Sequence, residues 1–235
     1  IVKSPDIDKL DWEGCKINAP LNESPRSLSV TFQNGMFERL ISFMDFEMAI
    51  LALIDEDQKD AVHALFDKLA DMYIAMIKKY LEILNLDGVI FHDDWGSQRA
   101  PFFSIDVCRE MIVPYIKRVS DFCHENGMWF QQHCCGKNEM LVPAMIEAGV
   151  DMWAPQDMND TYMLNEKYGD KMMFYVKPPA PAEDASDEEI EQMAKEFVEK
   201  FAPTFKEKPI VVANYFVGPK MTNAIYRQSR IALNR

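Results

Sequence analysis

Between Gln58 and Asn85 apolar residues recur at helical spacing, at Val62, Leu65, Phe66, Leu69, Met72, Tyr73, Met76, Ile77, Tyr80, Leu81 and Leu84. That spacing predicts one long helix with a buried stripe. The preceding run "FERLISFMDFEMAILALI", Phe37 to Ile54, has the same helical texture. The period then changes. "DGVIFHDDWG" is short, apolar and β-rich between Gly88 and Gly96, and predicts a strand.

The alternation continues to the end of the chain. Ser104 is placed to cap a helix carrying Val107, Met111, Tyr115, Val119 and Phe122, with Asn126-Gly127 as its stop. The strand "MWFQQHCCG" follows, then a short helix over Glu139 to Ala148 ended by Gly149, then the strand "VDMWAPQ". A helix near Thr161 to Tyr168 precedes the strand "MMFYVK". Ser186 and Glu189 have the spacing of a capping box for a helix bearing Ile190, Met193, Phe197, Val198 and Phe201. "PIVVAN" reads as the last strand and "TNAIYRQSRIAL" as the last helix. The first 34 residues, punctuated by Pro5, Pro20 and Pro25, read as an irregular N-terminal segment of a single domain spanning 1–235.

Strands separated by helices imply right-handed βαβ units and a parallel sheet. Two α/β architectures satisfy this, a (β/α)₈ barrel and an open doubly wound sheet. Neither G-x-G-x-x-G nor G-x-x-x-x-G-K-[ST] occurs, which removes the usual nucleotide-binding reasons for the open sheet. Polar residues gather at successive strand ends: Asp93 and Asp94, His133 and Cys135, Gln156 and Asp157, Lys177, and Asn214. A barrel collects its chemistry at that rim, although polar residues also accumulate wherever strands give way to loops.

Composition narrows the function classes. A formal charge of −13 opposes duplex binding, which needs a basic face, and opposes adhesion to anionic lipid. No apolar run approaches the roughly 18 residues of a membrane span. No charged start followed by an apolar core marks a signal peptide. The five cysteines, Cys15, Cys108, Cys123, Cys134 and Cys135, are odd in number and irregularly spaced, which suits a reducing cytoplasm better than a disulfide framework. The chain opens without an initiator Met, so its natural start is expected upstream.

Side chains alternate faces along a strand. His133 and Cys135 are therefore expected on one face with Gln131, and Cys134 on the other. His-x-Cys at a strand end is half of a zinc site, both types being ligands that zinc accepts; buried packing is the commoner fate of cysteine. A disulfide between adjacent cysteines would strain their peptide. In "VIFHDDWG", Val89 and Phe91 suit the helix-facing side, leaving Ile90, His92 and Asp94 to the interior. Asp94 is thus a candidate ligand or acid/base, with Asp93 its neighbour; either acid could instead cap the next turn. His63 and His124 read as structural.

The segments "FERLISFMDFE", "DGVIFHDDWGSQ", "FFSIDVCREMIVPYIKRVSDFCHENG", "HCCGKNEMLVPAMIEAGVDMWAPQ" and "KYGDKMMFY" resemble, in order and spacing, the uroporphyrinogen decarboxylase superfamily, its methyltransferase-like branch most of all. The resemblance implies a (β/α)₈ barrel with a pocket at its C-terminal mouth, and an N-terminal part that relatives carry and this chain lacks. It implies zinc on a His-x-Cys pair plus a downstream cysteine, activating a thiol acceptor for a methyl group from a corrinoid protein. Other members move a methyl group from a methylated small molecule to the corrinoid. His133 and Cys135 match the ligand pair, and Asp94 or Asp93 the acid of the earlier strand. Gln156, Asn214 and Lys177 are expected to line the pocket. No cysteine follows Cys135, so the expected third thiolate is absent and Asp94, His92 or Cys134 is left to complete the site. The alternatives are a metal-free tetrapyrrole decarboxylase, for which only Arg99, Lys137 and Lys177 are well placed, and a non-catalytic corrinoid- or metabolite-binding protein. The arginine-rich motif Arg-Gln-Ala-Gly-Arg of true decarboxylases does not occur.

Overall fold

The computed structural model describes residues 3–215 and 217–234. The chain forms two compact units, Ile1–Asn159 and Asp160–Arg235.

The first unit carries four parallel strands in chain order: β1 (Ser29–Phe32), β2 (Gly88–His92), β3 (Trp129–His133) and β4 (Met152–Trp153). Helices make the crossovers that parallel strands require. Three lie between β1 and β2: α1 (Met36–Met44), α2 (Phe46–Ala52) and α3 (Glu56–Leu81). The long predicted helix is α3. Asp55 caps it by accepting from the Asp57 N–H, acids occupy its first turn, and Lys78 and Lys79 its last, which suits the helix dipole at both ends. Its buried stripe of Val62, Phe66, Leu69, Ala70, Tyr73 and Ile77 covers the sheet, with the Tyr73 ring edge-on to Phe91 of β2 at 4.9 Å.

The texture from Phe37 to Ile54 resolves into two helices. Asp45, at φ 92°, breaks the run and then caps α2 by accepting from the Met48 N–H. The helix predicted after Ser104 is likewise α4 (Ile105–Met111) followed by α5 (Val113–Glu125). Ser104 caps it as expected, and the missing N–H of Pro114 forces the restart. Gly127, at φ 74°, ends α5. A short helix, α6 (Val142–Glu147), leads to β4. The segment read as irregular up to residue 34 ends in β1, paired with β2 from Ser29↔Gly88 to Phe32↔Phe91.

The second unit begins with α7 (Thr161–Tyr168), capped by Asp160. Its strands β5 (Met173–Val176) and β6 (Ile210–Val212) pair in parallel, Phe174 opposite Ile210. Between them runs α8 (Asp187–Phe201), opened by the predicted capping box. The Ser186 hydroxyl accepts from the Glu189 N–H, and the Glu189 carboxylate accepts from the Ser186 N–H. The last helix, α9 (Gly218–Ala232), starts four residues earlier than the apolar pattern indicated, with Pro219 in its first turn. Among the described residues no helix is long and apolar enough to cross a membrane.

Candidate metal centre

β2 and β3 are adjacent and in register, with His92 directly opposite His133. Parallel neighbours lie about 4.8 Å apart, so equivalent side chains on one face must touch. The two imidazoles stack with centroids 4.3 Å apart and planes inclined by 17°. Asp94 lies two residues past His92 and Cys135 two past His133, on the same half-buried face. One Asp94 oxygen accepts from the Cys135 N–H at 2.6 Å, tying the two strand ends together. The Cys135 thiol is 3.5 Å from His133 Nε2. On the other flank, His92 Nδ1 is 3.0 Å from a carboxylate oxygen of Glu38, in the first turn of α1. One ligand atom each from His92, Asp94 and His133 lies within 4.8 Å of the other two.

The opposite face is sealed. Asp93 is fully buried and accepts from the Phe37 N–H at 3.1 Å, the Glu38 N–H at 2.9 Å and Trp95 Nε1 at 2.9 Å. It is a remote cap for α1, supplying the orphan N–H groups of the first turn with the acceptor that Gly35 cannot offer. Burial raises Asp93 to about 7, while its three donors act in the opposite direction. Cys134, also buried, accepts from Asn138 Nδ2 at 3.2 Å, and its backbone carbonyl accepts from Trp153 Nε1. Burial holds its thiol well above the ordinary range.

The half-buried setting of His133 favours its neutral imidazole. Burial, and then the neighbouring His92, lower the His133 pKa, while Asp94 acts the other way. A neutral ring has the lone pair that a metal needs. Burial and the adjacent Asp94 charge push the Cys135 thiol up to about 11, so it is protonated at neutral pH. Two imidazoles and a carboxylate converging at strand ends form a donor set that zinc accepts and that also suits ferrous iron.

The structure therefore brings Asp94, His133 and Cys135 together and adds His92 and Glu38. Cys135 is outside the three-residue set, and Asp93 is on the sealed face. Gln156, after β4, accepts from the Gly136 N–H at 2.8 Å and so braces the loop that carries Cys135. Lys177 follows β5 directly and Asn214, exposed, follows β6; both belong to the second unit. All five cysteines are free thiols. His63 and His124 have structural partners, Tyr115 and Asp151. The residue that sequence reasoning did not single out is Glu38. Its only signal was an acid in the first turn of a helix whose position over β2 is a tertiary fact.

A solved methyltransferase from Methanosarcina mazei has a similar fold, with a TM-score of 0.59 at 14% sequence identity; the match covers 94% of this chain and 63% of that one. The chain thus spans less than two thirds of that relative's length. No curated protein matches the sequence. The uroporphyrinogen decarboxylase (URO-D) family matches residues 36–213, which include β2, β3 and every residue of the candidate centre. The chain belongs to the uroporphyrinogen decarboxylase family.

Proposed function

We propose that the chain is a metal-assisted methyltransferase, moving a methyl group between a small methylated molecule or thiol acceptor and a corrinoid carried by a partner protein. The observation that carries this reading is the convergence of His92, Asp94 and His133. The sequence offered His133 and Cys135 as the ligand pair, with no downstream thiolate and with Asp94, His92 or Cys134 left to complete the site; the converging set favours His92 and Asp94 for that part. Family membership supports a (β/α)₈ barrel, in which the C-terminal strand ends are where chemistry is placed. The similar fold of the M. mazei methyltransferase supports the reaction class.

In this reading His92, Asp94 and His133 would hold zinc, with Cys135 beside His133 available as a fourth donor. Zinc bound there supplies positive charge that keeps a bound thiol ionised at neutral pH. The protein's own contribution is positional. Asp94 keeps the strand ends at a fixed spacing through the Cys135 N–H, and the sealed face under Asp93 and Cys134 keeps water from one side. Asp94 is also the carboxylate placed to receive or return a proton at the site.

The family's own name favours a second reading, decarboxylation of a tetrapyrrole carboxylate. It requires cations around the substrate, and Arg99 and Lys137 are both exposed on loops of the first unit. Two imidazoles stacked on the half-buried face have no task in metal-free decarboxylation. A non-catalytic corrinoid- or metabolite-binding protein would keep the fold and lack a complete metal sphere.

Elemental analysis of protein purified without added metal tests the assignment. About one metal ion per chain, lost in His92→Ala and His133→Ala, supports it, and methyl transfer from a methylcorrinoid protein is then the assay. Metal-free protein that takes up none when zinc is offered overturns it and moves the weight to decarboxylation or binding.

A further inference from the structure

We propose that Glu38 is a positioning residue that fixes the tautomer and ring orientation of His92, a role that rests on the metal reading above. His92 Nδ1 is 3.0 Å from Glu38 Oε2, and both side chains are largely shielded from water, at 22% and 19% exposure. A carboxylate accepts and cannot donate, so neutral His92 meets it with Nδ1–H. The lone pair is then left on Nε2, the nitrogen free to face a metal. Metal-bound histidines are commonly held in this way by a carboxylate on the second ring nitrogen.

The carboxylate is itself held in place by the backbone. The Glu38 N–H donates to Asp93, and the Gly35 N–H donates to the His92 carbonyl at 2.7 Å. Asp93 and His92 are one residue apart on β2 and its extension, so the start of α1 is pinned at two points to the strand that carries His92. The approach is close: a Cβ on Gly35 would come within 2.6 Å of both the Asp93 Cβ and the Phe91 ring. The strand end thus uses its sealed face to anchor the helix and its open face to receive that helix's carboxylate.

This arrangement separates positioning from folding. Glu38→Ala removes the carboxylate but keeps the backbone N–H that Asp93 caps, so α1 remains anchored. Glu38→Gln keeps an acceptor oxygen without the charge.

The test uses the full chain in two measurements. Long-range ¹H–¹⁵N NMR on metal-free protein at mildly alkaline pH reads the His92 tautomer. The expected result is Nδ1–H in the unmodified protein, a mixture in Glu38→Ala, and largely Nδ1–H in Glu38→Gln. Nε2–H in the unmodified protein, or an unchanged tautomer in Glu38→Ala, overturns the proposal. Competition for zinc with a chromophoric chelator is expected to show affinity about 10- to 100-fold weaker in Glu38→Ala, partly restored in Glu38→Gln. Equal affinity in all three overturns the role toward metal. If the unmodified protein binds no zinc, the metal reading fails, and the tautomer measurement alone decides whether Glu38 orients His92.

Discussion

His92 and His133 sit directly opposite each other on adjacent parallel strands, and their rings stack at 4.3 Å. The contact follows from register. A one-residue slip of either strand would turn one imidazole into the sealed layer beneath. Their equivalence makes a sharp prediction: His92→Ala and His133→Ala should reduce metal content to the same extent. Cys135→Ser, which alters a group outside the converging set, should reduce it less. Metal analysis of the three variants beside the unmodified protein checks this. Full retention in His92→Ala with loss in Cys135→Ser would restore the ligand pair suggested by the sequence alone.

Asp93 is expected to act on stability before it acts on chemistry. Its two oxygens serve three donors, two of them buried, including two N–H groups of α1. Asp93→Ala leaves those donors unpaired and should cost about 3 kcal/mol, combining a lost cap with buried unsatisfied groups. Urea denaturation measures the loss. Asp94→Ala, on the open face, should cost far less stability while lowering metal affinity. A reversal of the two costs would mean that the faces have been assigned the wrong way round.

Much of this site was legible because strand alternation is strict. The period of two placed His133 with Cys135 and His92 with Asp94, and the structure keeps both pairs on the half-buried face. The α3 stripe and the Ser186–Glu189 capping box were equally local signals, each contained in one element. What escaped the sequence was tertiary or too short to show a period. β1 is four residues in a proline-punctuated stretch, and β4 is two. The break at Asp45 is a backbone conformation that a continuous apolar pattern conceals. Register between β2 and β3 cannot be read from either strand by itself. Glu38 meets His92 across 54 positions of sequence, through a helix entry angle set by Gly35 and Asp93.

Gly35 should therefore be sensitive for a steric reason. An added Cβ would meet Phe91 and Asp93 at 2.6 Å, and both are fully buried, so neither can yield cheaply. Gly35→Ala should destabilise the fold by about 1–3 kcal/mol. It should also move the start of α1 away from β2, weakening zinc binding in the direction expected for Glu38→Ala. Thermal melting and chelator competition on one preparation check both effects. Stability near that of the unmodified protein would show that α1 is less closely anchored than the structure has it.

Alkaline pH gives a prediction whose sign comes from buried thiols remote from the open face. Cys123 is fully buried, and burial, then the Asp151 charge, raise it from its ordinary value near 9 to about 12. Burial pushes Cys108 higher still, with Asp93 and Glu147 adding to the effect. Well below pH 9 both thiols are protonated whether the chain is folded or not, and they contribute no pH dependence. Above it the unfolded chain releases these protons while the folded chain keeps them, so unfolding is favoured as pH rises. Each thiol should lower stability by about 1.4 kcal/mol per pH unit from its unfolded value toward its folded one. Urea midpoints followed from neutral pH into this range should fall more steeply for the unmodified protein than for Cys108→Ala/Cys123→Ala. The double variant should start from lower stability, because it loses buried sulfur, and then lose less on the alkaline side. Parallel slopes would mean that both thiols ionise in the folded chain and that the layer around α4 and α5 admits water.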